Sequence, residues 1–432
     1  MSIPYRLLVG SIRLAAPLFS VGASKFARGM EGRRHAHDVL ATWGRGVRDP
    51  HRPVAWFHAP SVGEGLQAEA VMTALRALRP DLQIVFTFFS PSAEGLAGRI
   101  GADVATYLPW DLRRPVSTAL DAIRPGVLCF TKTEVWPVLV EEAVRRGVPV
   151  AIVGTTLPDG AGRMRWPARA LLRSTWERLE LACAIDDTDT SRLIALGVAE
   201  RAVHTTGDPG IDSALRRASS ADPGASYLAP FHAEPRPTVV AGSTWEADEA
   251  VLLPALRKTR DSVPGLRAII APHEPVPEHV ASLGSRLRQD GWRTATLSEV
   301  EARASVKDVD AVVIDRVGVL AHLYSIASIS YVGGGFHHAG LHSVLEPAAV
   351  GTPVVFGPRH SNTRAAGDLL TANGAKIASD GVELSTLLSG WFHDDEARKR
   401  TGARAFGYID AHRGAADRTA VLLDELMKCR DV

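Results

Sequence analysis

Two series of short apolar, β-rich runs, each alternating with helical stretches, predict a chain of two doubly wound α/β domains. Length agrees, because 432 residues are too many for one ordinary domain and suit two. So does SSADPGASYLAPFHAEPRP (219–237), which separates the two series and whose Pro, Ala and Ser content reads as an interdomain linker. Ligands of open α/β sheets bind beyond the carboxyl ends of the strands. Residues that carry chemistry are therefore expected where β-runs end and helices begin, facing a central cleft.

The chain opens with IPYRLLVGSIRLAAPLFSVGASKFARG (3–29), apolar with basic residues at Arg6, Arg13, Lys25 and Arg28. Its longest uncharged run, 14–24, is about half of the roughly 20 residues that a bilayer span requires, and no signal-peptide pattern precedes the domain. Residues 1–28 read either as a helix lying in a membrane interface or as a helix packed on the first domain. In the first domain, 29–218, the runs VAWFHAP (54–60), QIVFTFF (83–89), VLCFTK (127–132) and VAIVGTT (150–156) read as buried strands. Residues 64–78 have helical periodicity and stop at Arg79-Pro80, as a helix end should. The second domain, 238–432, runs through TVVAGS (238–243), LRAIIAP (266–272), AVVIDR (311–316), SISYVGGG (328–335) and TPVVFGP (352–358). Its last helix could cross back to the first domain.

Composition narrows the function classes. Hydrophobic residues make up 46% and charged residues 22%, ordinary globular usage, and a net charge of +1 gives no global case for a nucleic-acid partner. The cysteines Cys129, Cys183 and Cys429 are odd in number and far apart, so they form neither a disulfide framework nor a CxxC metal signature. A reducing compartment is expected.

The motifs lie where strands end. HAPSVGE (58–64) follows the first strand and opens a helix. A carboxylate at Glu64 would sit near the positive end of the helix dipole and stay ionised, which suits a general base; it also suits an acidic residue that only stabilises the helix. TFFSPSAEG (87–95) offers Ser90 and Ser92 either to a ligand or as a helix cap. TKTEVWP (131–137) places Lys132 and Glu134 beside Trp136, as site residues or as a structural ion pair. In AGSTWEADE (241–249) a Gly-Ser-Thr turn precedes an acidic helix start and can donate hydrogen bonds to an anion. APHEP (271–275) places His273 and Glu274 at the next strand end, where His273 could equally cap or pack. The most specific stretch is YVGGGFHHAGLHSVLEPAAVGTPVVFGPRHSN (331–362). Its glycines allow close approach of a ligand, and a helix expected over 343–349 carries Glu346, which suits ribose hydroxyls. His337, His338 and His342 have no acidic or Cys partner at ligand spacing, so no metal site is expected.

Taken together, KFARGMEGRR (25–34), HAPSVGE, TFFSPS, YLPWD (107–111), TKTEVWP, GSTW, APHEP, VGGGFHHAGLHSVLEPAA and FGPRHSN resemble, in order and spacing, the transferases of 3-deoxy-D-manno-octulosonic acid (Kdo). The resemblance runs over nearly the whole chain. It implies a GT-B fold, two doubly wound Rossmann-like domains facing a central cleft. It also implies inverting transfer from CMP-Kdo to a lipid A precursor, no cofactor, no metal, and work at the cytoplasmic face of the inner membrane. Glu64 matches the family's catalytic base, and Ser243 and Thr244 match its donor-side turn. His273, Gly334, Gly335, His342, Glu346 and Asn362 fall on its other donor-binding positions, while Ser61, Ser90, Lys132 and Glu134 are the acceptor-side candidates. The chain departs from the common pattern in three places. Lys132 replaces a glutamate, Pro272-His273-Glu274-Pro275 replaces Pro-Arg-His-Pro, and His342-Ser343 replaces His-Asn. A GT-B transferase of another nucleotide sugar, or an inactive binding paralogue, is the alternative.

Overall fold

The computed structural model describes residues 5, 9–11, 25–158 and 162–428. Most of the segment expected at a membrane interface, 1–28, lies outside the described residues. Among the described residues no helix is long and apolar enough to cross a membrane. The chain divides into two units: Met1–Ser213 with Arg413–Val432, and Ala214–His412.

The first unit is built on a parallel sheet. Its described strands are β1 (Val54–Ala59), β2 (Gln83–Phe88), β3 (Val104–Tyr107), β4 (Val127–Thr131), β5 (Val150–Thr155), β6 (Leu181–Ala184) and β7 (Val203–Thr205), in the order β3-β2-β1-β4-β5-β6-β7. The near-continuous apolar runs follow from burial on both faces. Alternation along β1 sends Ala55 and Phe57 into one core and Val54 and Trp56 into the other. The helix Ala415–Lys428 packs on the helix Val62–Leu78, with Leu423 and Met427 in the first of these cores. The Asp212 carboxylate fixes its start by accepting from the N–H groups of Gly414 (2.6 Å) and Ala416 (2.8 Å).

The second unit repeats the plan with β8 (Thr238–Thr244), β9 (Arg267–Pro272), β10 (Thr294–Thr296), β11 (Ala311–Val313), β12 (Ile329–Val332), β13 (Val354–Phe356) and β14 (Ala375–Ile377). Their order is β10-β11-β9-β8-β12-β13-β14. The Pro/Ala/Ser-rich stretch 219–237 contains the short helix Ala229–Ala233, and Leu228 and Phe231 are buried in this unit's core. The strand order reverses between β1 and β4 in the first sheet and between β8 and β12 in the second, where β10 and β11 are also exchanged at the edge. Such a reversal opens a crevice at the carboxyl ends of the strands, and the loops that follow those four strands hold most of the sequence motifs.

Candidate active site

In the first unit, Ser61 is the N-cap of the helix Val62–Leu78, and Glu64 lies in the first turn of that helix. The Ser61 hydroxyl donates to Glu64 Oε2, and Lys132 Nζ, from the loop after β4, reaches Glu64 Oε1 at 3.3 Å. Two expected residues 68 positions apart are thus brought together because β1 and β4 are neighbours. Burial pushes the Glu64 carboxyl up, but the Lys132 charge and the hydrogen bonds from Ser61, its own backbone and Lys132 outweigh it, leaving the group below its ordinary value. Lys132 is itself held in a left-handed backbone, φ +69°, with its N–H on Val153 O at 2.8 Å. Strain of this kind concentrates at functional sites.

Glu134 behaves oppositely. Burial raises its carboxyl, only partly offset by Arg163 and Arg33, and the nearby Glu64 charge raises it further. Ser90 serves as a cap: its Oγ accepts from Ser92 N at 3.3 Å, while its own N–H donates to Pro60 O at 2.8 Å and ties the loops after β1 and β2 together. His58, Arg33 and Trp136 form a support that sequence reasoning did not assign. Burial pushes His58 down to about 3, so the ring is neutral. Its Nδ1–H donates to Thr87 O at 3.0 Å and its Nε2 accepts from Trp136 Nε1–H at 3.2 Å, which locks the indole in place. Trp136 stacks on Phe89, centroids 5.5 Å apart, and the buried Arg33 guanidinium lies 3.3 Å above the Phe89 ring. A strand-end histidine with a tryptophan in the loop of the neighbouring strand was the available signal.

In the second unit, the loops after β8 and β12 are fastened by Asp248. This fully buried carboxylate accepts from Gly334 N (2.7 Å), Trp245 N (3.0 Å), Tyr331 OH (3.0 Å) and Phe336 N (3.1 Å). The N–H of Gly334 is therefore engaged within the chain. The glycines have a packing reason of their own, since a Cβ on Gly334 would lie 2.1 Å from Gly340 O and one on Gly335 would lie 2.4 Å from Gly357 N. Ser243 takes φ +56° in the Gly-Ser-Thr turn, and the Thr244 hydroxyl donates to the buried Glu249 at 3.2 Å. Asn362 clamps the loop by accepting from Leu341 N and donating to Leu341 O, both at 2.9 Å.

The histidines are not dispersed caps. Trp245 stacks with His337 (4.1 Å) and His273 (4.4 Å), His273 stacks with His342 (4.5 Å), and Trp245 Nε1–H donates to His342 Nε2 at 3.0 Å. Burial first, and then the neighbouring His273, push His342 down to about 4. Glu346 is the acidic residue in the first turn of the helix Leu345–Ala349, where Ser343 Oγ donates to it at 2.5 Å and Arg217 lies 2.9 Å away.

A family model described as 3-deoxy-D-manno-octulosonic-acid transferase (kdotransferase) matches residues 35–213, the stretch that carries Ser61, Glu64, Ser90, Lys132 and Glu134. Beyond that stretch, a 3-deoxy-D-manno-octulosonic acid transferase of Haemophilus influenzae is 26% identical over 377 residues, covering 85% of this chain and 86% of the relative. One of Bordetella pertussis is 28% identical over 405 residues, covering 89% and 91%. Over most of its length the chain is thus similar to Kdo transferases. Its fold is that of a solved UDP-GlcNAc 2-epimerase of Neisseria meningitidis, with a TM-score of 0.60 at 14% identity over 87% of this chain and all of that one. The chain is thus an α/β protein of GT-B type, two Rossmann-like units each on a parallel sheet, as its sequence predicts.

Proposed function

We propose that this chain is an inverting glycosyltransferase that moves Kdo from CMP-Kdo onto a lipid A precursor in lipopolysaccharide core biosynthesis. Glu64 carries this reading: an ionised carboxylate, fixed by Ser61 and Lys132, just beyond the carboxyl end of a central strand in a chain similar to Kdo transferases. Inversion needs one base. Glu64 takes the proton of the acceptor hydroxyl as that oxygen bonds to the anomeric carbon of Kdo. The bond from that carbon to the CMP phosphate oxygen breaks on the opposite face, and CMP leaves with the electron pair. Lys132 keeps the base ionised over a wide pH range and weakens it in exchange. Ser90 and Glu134 belong to the acceptor side in this reading.

The donor falls to the second unit. The stacked Trp245, His273 and His337 offer aromatic faces, the Ser243–Thr244 turn offers donors to the phosphate, and Glu346 suits the ribose hydroxyls. Gly334, Gly335, His342 and Asn362 shape that loop more than they donate from it. The acceptor is a lipid, so the protein works at the cytoplasmic face of the inner membrane as a peripheral or monotopic enzyme. Mass spectrometry of a lipid A precursor after incubation with CMP-Kdo and the protein tests the proposal. Added Kdo is the expected result, and an unchanged precursor beside active control enzyme would refute it.

A further inference from the structure

Apart from the charge of Arg163 beside Glu134, the segment GRMRWPARALLRSTW (162–176) has no part in the site above. It runs from a 3-10 turn at Gly162–Met164 into the helix Ala168–Trp176 and contains Arg163, Arg165, Arg169 and Arg173 but no acidic residue. One side of the helix is accounted for, because Thr175 and Trp176 are buried and Trp176 belongs to the unit's core. The other side is not. Trp166 is 84% exposed and Leu171 42% exposed, and Arg165, Arg169 and Arg173 are exposed around them. Arg169 donates to Ala195 O and Arg173 to Glu177, which leaves donors over on both guanidinium forks.

A large indole left in water among arginines is unfavourable for a face that meets only solvent. It suits the boundary of a bilayer, where indoles sit at headgroup level and arginines meet lipid phosphates. Position supports the same occupant. Arg163 is close enough to Glu134 to draw that carboxyl down, so the segment adjoins the loop after β4 that also carries Lys132. A lipid-borne acceptor must bring its hydroxyl to that loop from a membrane surface.

We propose that residues 162–176 form a membrane-contact element, with Trp166 and Leu171 in the interface of an anionic bilayer and Arg165, Arg169 and Arg173 on its phosphates. The purpose of this contact rests on the reading of a lipid acceptor; the contact itself is measured without turnover.

The test is flotation of the full-length chain with vesicles of phosphatidylcholine, with and without phosphatidylglycerol. The wild type should partition preferentially to the anionic vesicles. Arg165→Gln should weaken that partition about fivefold, the effect of one basic residue at an anionic surface. Adding Trp166→Ser should weaken it further, while Trp166→Phe should retain most of it. Both side chains are exposed, so an unchanged melting temperature is expected to exclude misfolding. Equal partition of wild type and double variant would overturn the proposal, as would indifference to phosphatidylglycerol or a preference for single-stranded RNA over vesicles. Variant-sensitive flotation with no Kdo transfer would remove the functional reading and leave this one standing. Transfer in detergent with variant-insensitive flotation would do the reverse.

Discussion

Replacing Glu64 by Gln separates chemistry from architecture at this site. The amide keeps the shape, can still accept from Lys132 through its oxygen and can donate to Ser61 Oγ through its NH2, but it cannot take a proton. The structure bounds the stability cost. Glu64 and Lys132 side chains are 17% and 38% exposed and meet at 3.3 Å, a partly solvated pair whose loss costs about 1 kcal/mol or less. For a protein of this size that is a shift of about 2–4 °C or less in melting temperature. A general base contributes about 10²–10⁴-fold, so kcat at saturating CMP-Kdo should fall by that factor while CMP still protects the protein against heat. Turnover on vesicle-borne acceptor and melting temperature are read on the same preparation. Near-wild-type kcat in a folded variant would remove Glu64 from the mechanism. A collapse of both readings would mean that the carboxylate holds the loop together, contrary to the weak, partly exposed contacts seen here.

Lys132→Met removes the largest of the effects that together outweigh burial at Glu64, so the acid limb of kcat/KM should move to higher pH, and Lys132→Arg should restore it. An unmoved limb in Lys132→Met would mean that Lys132 does not set the ionisation of Glu64. Glu346→Ala should raise the apparent KM for CMP-Kdo by the loss of a charge-assisted hydrogen bond, about 1.5–3 kcal/mol, with kcat little changed; unaltered CMP affinity in a folded variant would argue against a ribose contact. His342, held down to about 4, favours the folded protein in its neutral form. The unfolded ring takes up a proton first as pH falls, so stability should decline between about 6.5 and 4, by at most roughly 3 kcal/mol. His342→Phe should flatten that decline in pH-dependent melting, and an identical pH profile would refute the assignment.

What the sequence disclosed, and what it hid, follow from distance along the chain. The long strands β1, β2, β4, β5, β8 and β9 were legible because burial on both faces demands unbroken apolar runs. The strands β7 (Val-His-Thr), β10 and β14 have only three residues each, too few to show any period, and β7 is largely exposed. The run expected as 328–335 ends as a strand at Val332, since the glycines that follow are shaped by Gly340 and Gly357 across the loop. Glu64 could be found locally as a carboxylate between a strand and a helix. Lys132 could be found the same way at the end of its own strand, but its pairing with Glu64 could not, because that depends on the β1–β4 adjacency.

The same reasoning explains why the donor-side loop was only partly readable. Asp248 reads in the sequence as one more acidic residue at a helix start, and its carboxylate does accept from the Trp245 N–H at the N-cap. Only the adjacency of β8 and β12 shows that the same carboxylate also fastens Gly334 and Phe336 from 86 and 88 residues away. Because Asp248 and the glycine contacts already fix this backbone, the loop's shape is set before any ligand arrives, and the residues left to discriminate between ligands are the side chains on it. Those side chains are the stacked Trp245, His273, His337 and His342, of which His273 stands in the motif that departs from the common Pro-Arg-His-Pro pattern. With His342 held down to about 4 by burial, that ring supplies no cation near neutral pH in place of the missing arginine. What it supplies is a nitrogen that accepts from Trp245 and so fixes the plane of the indole on which His273 and His337 stack.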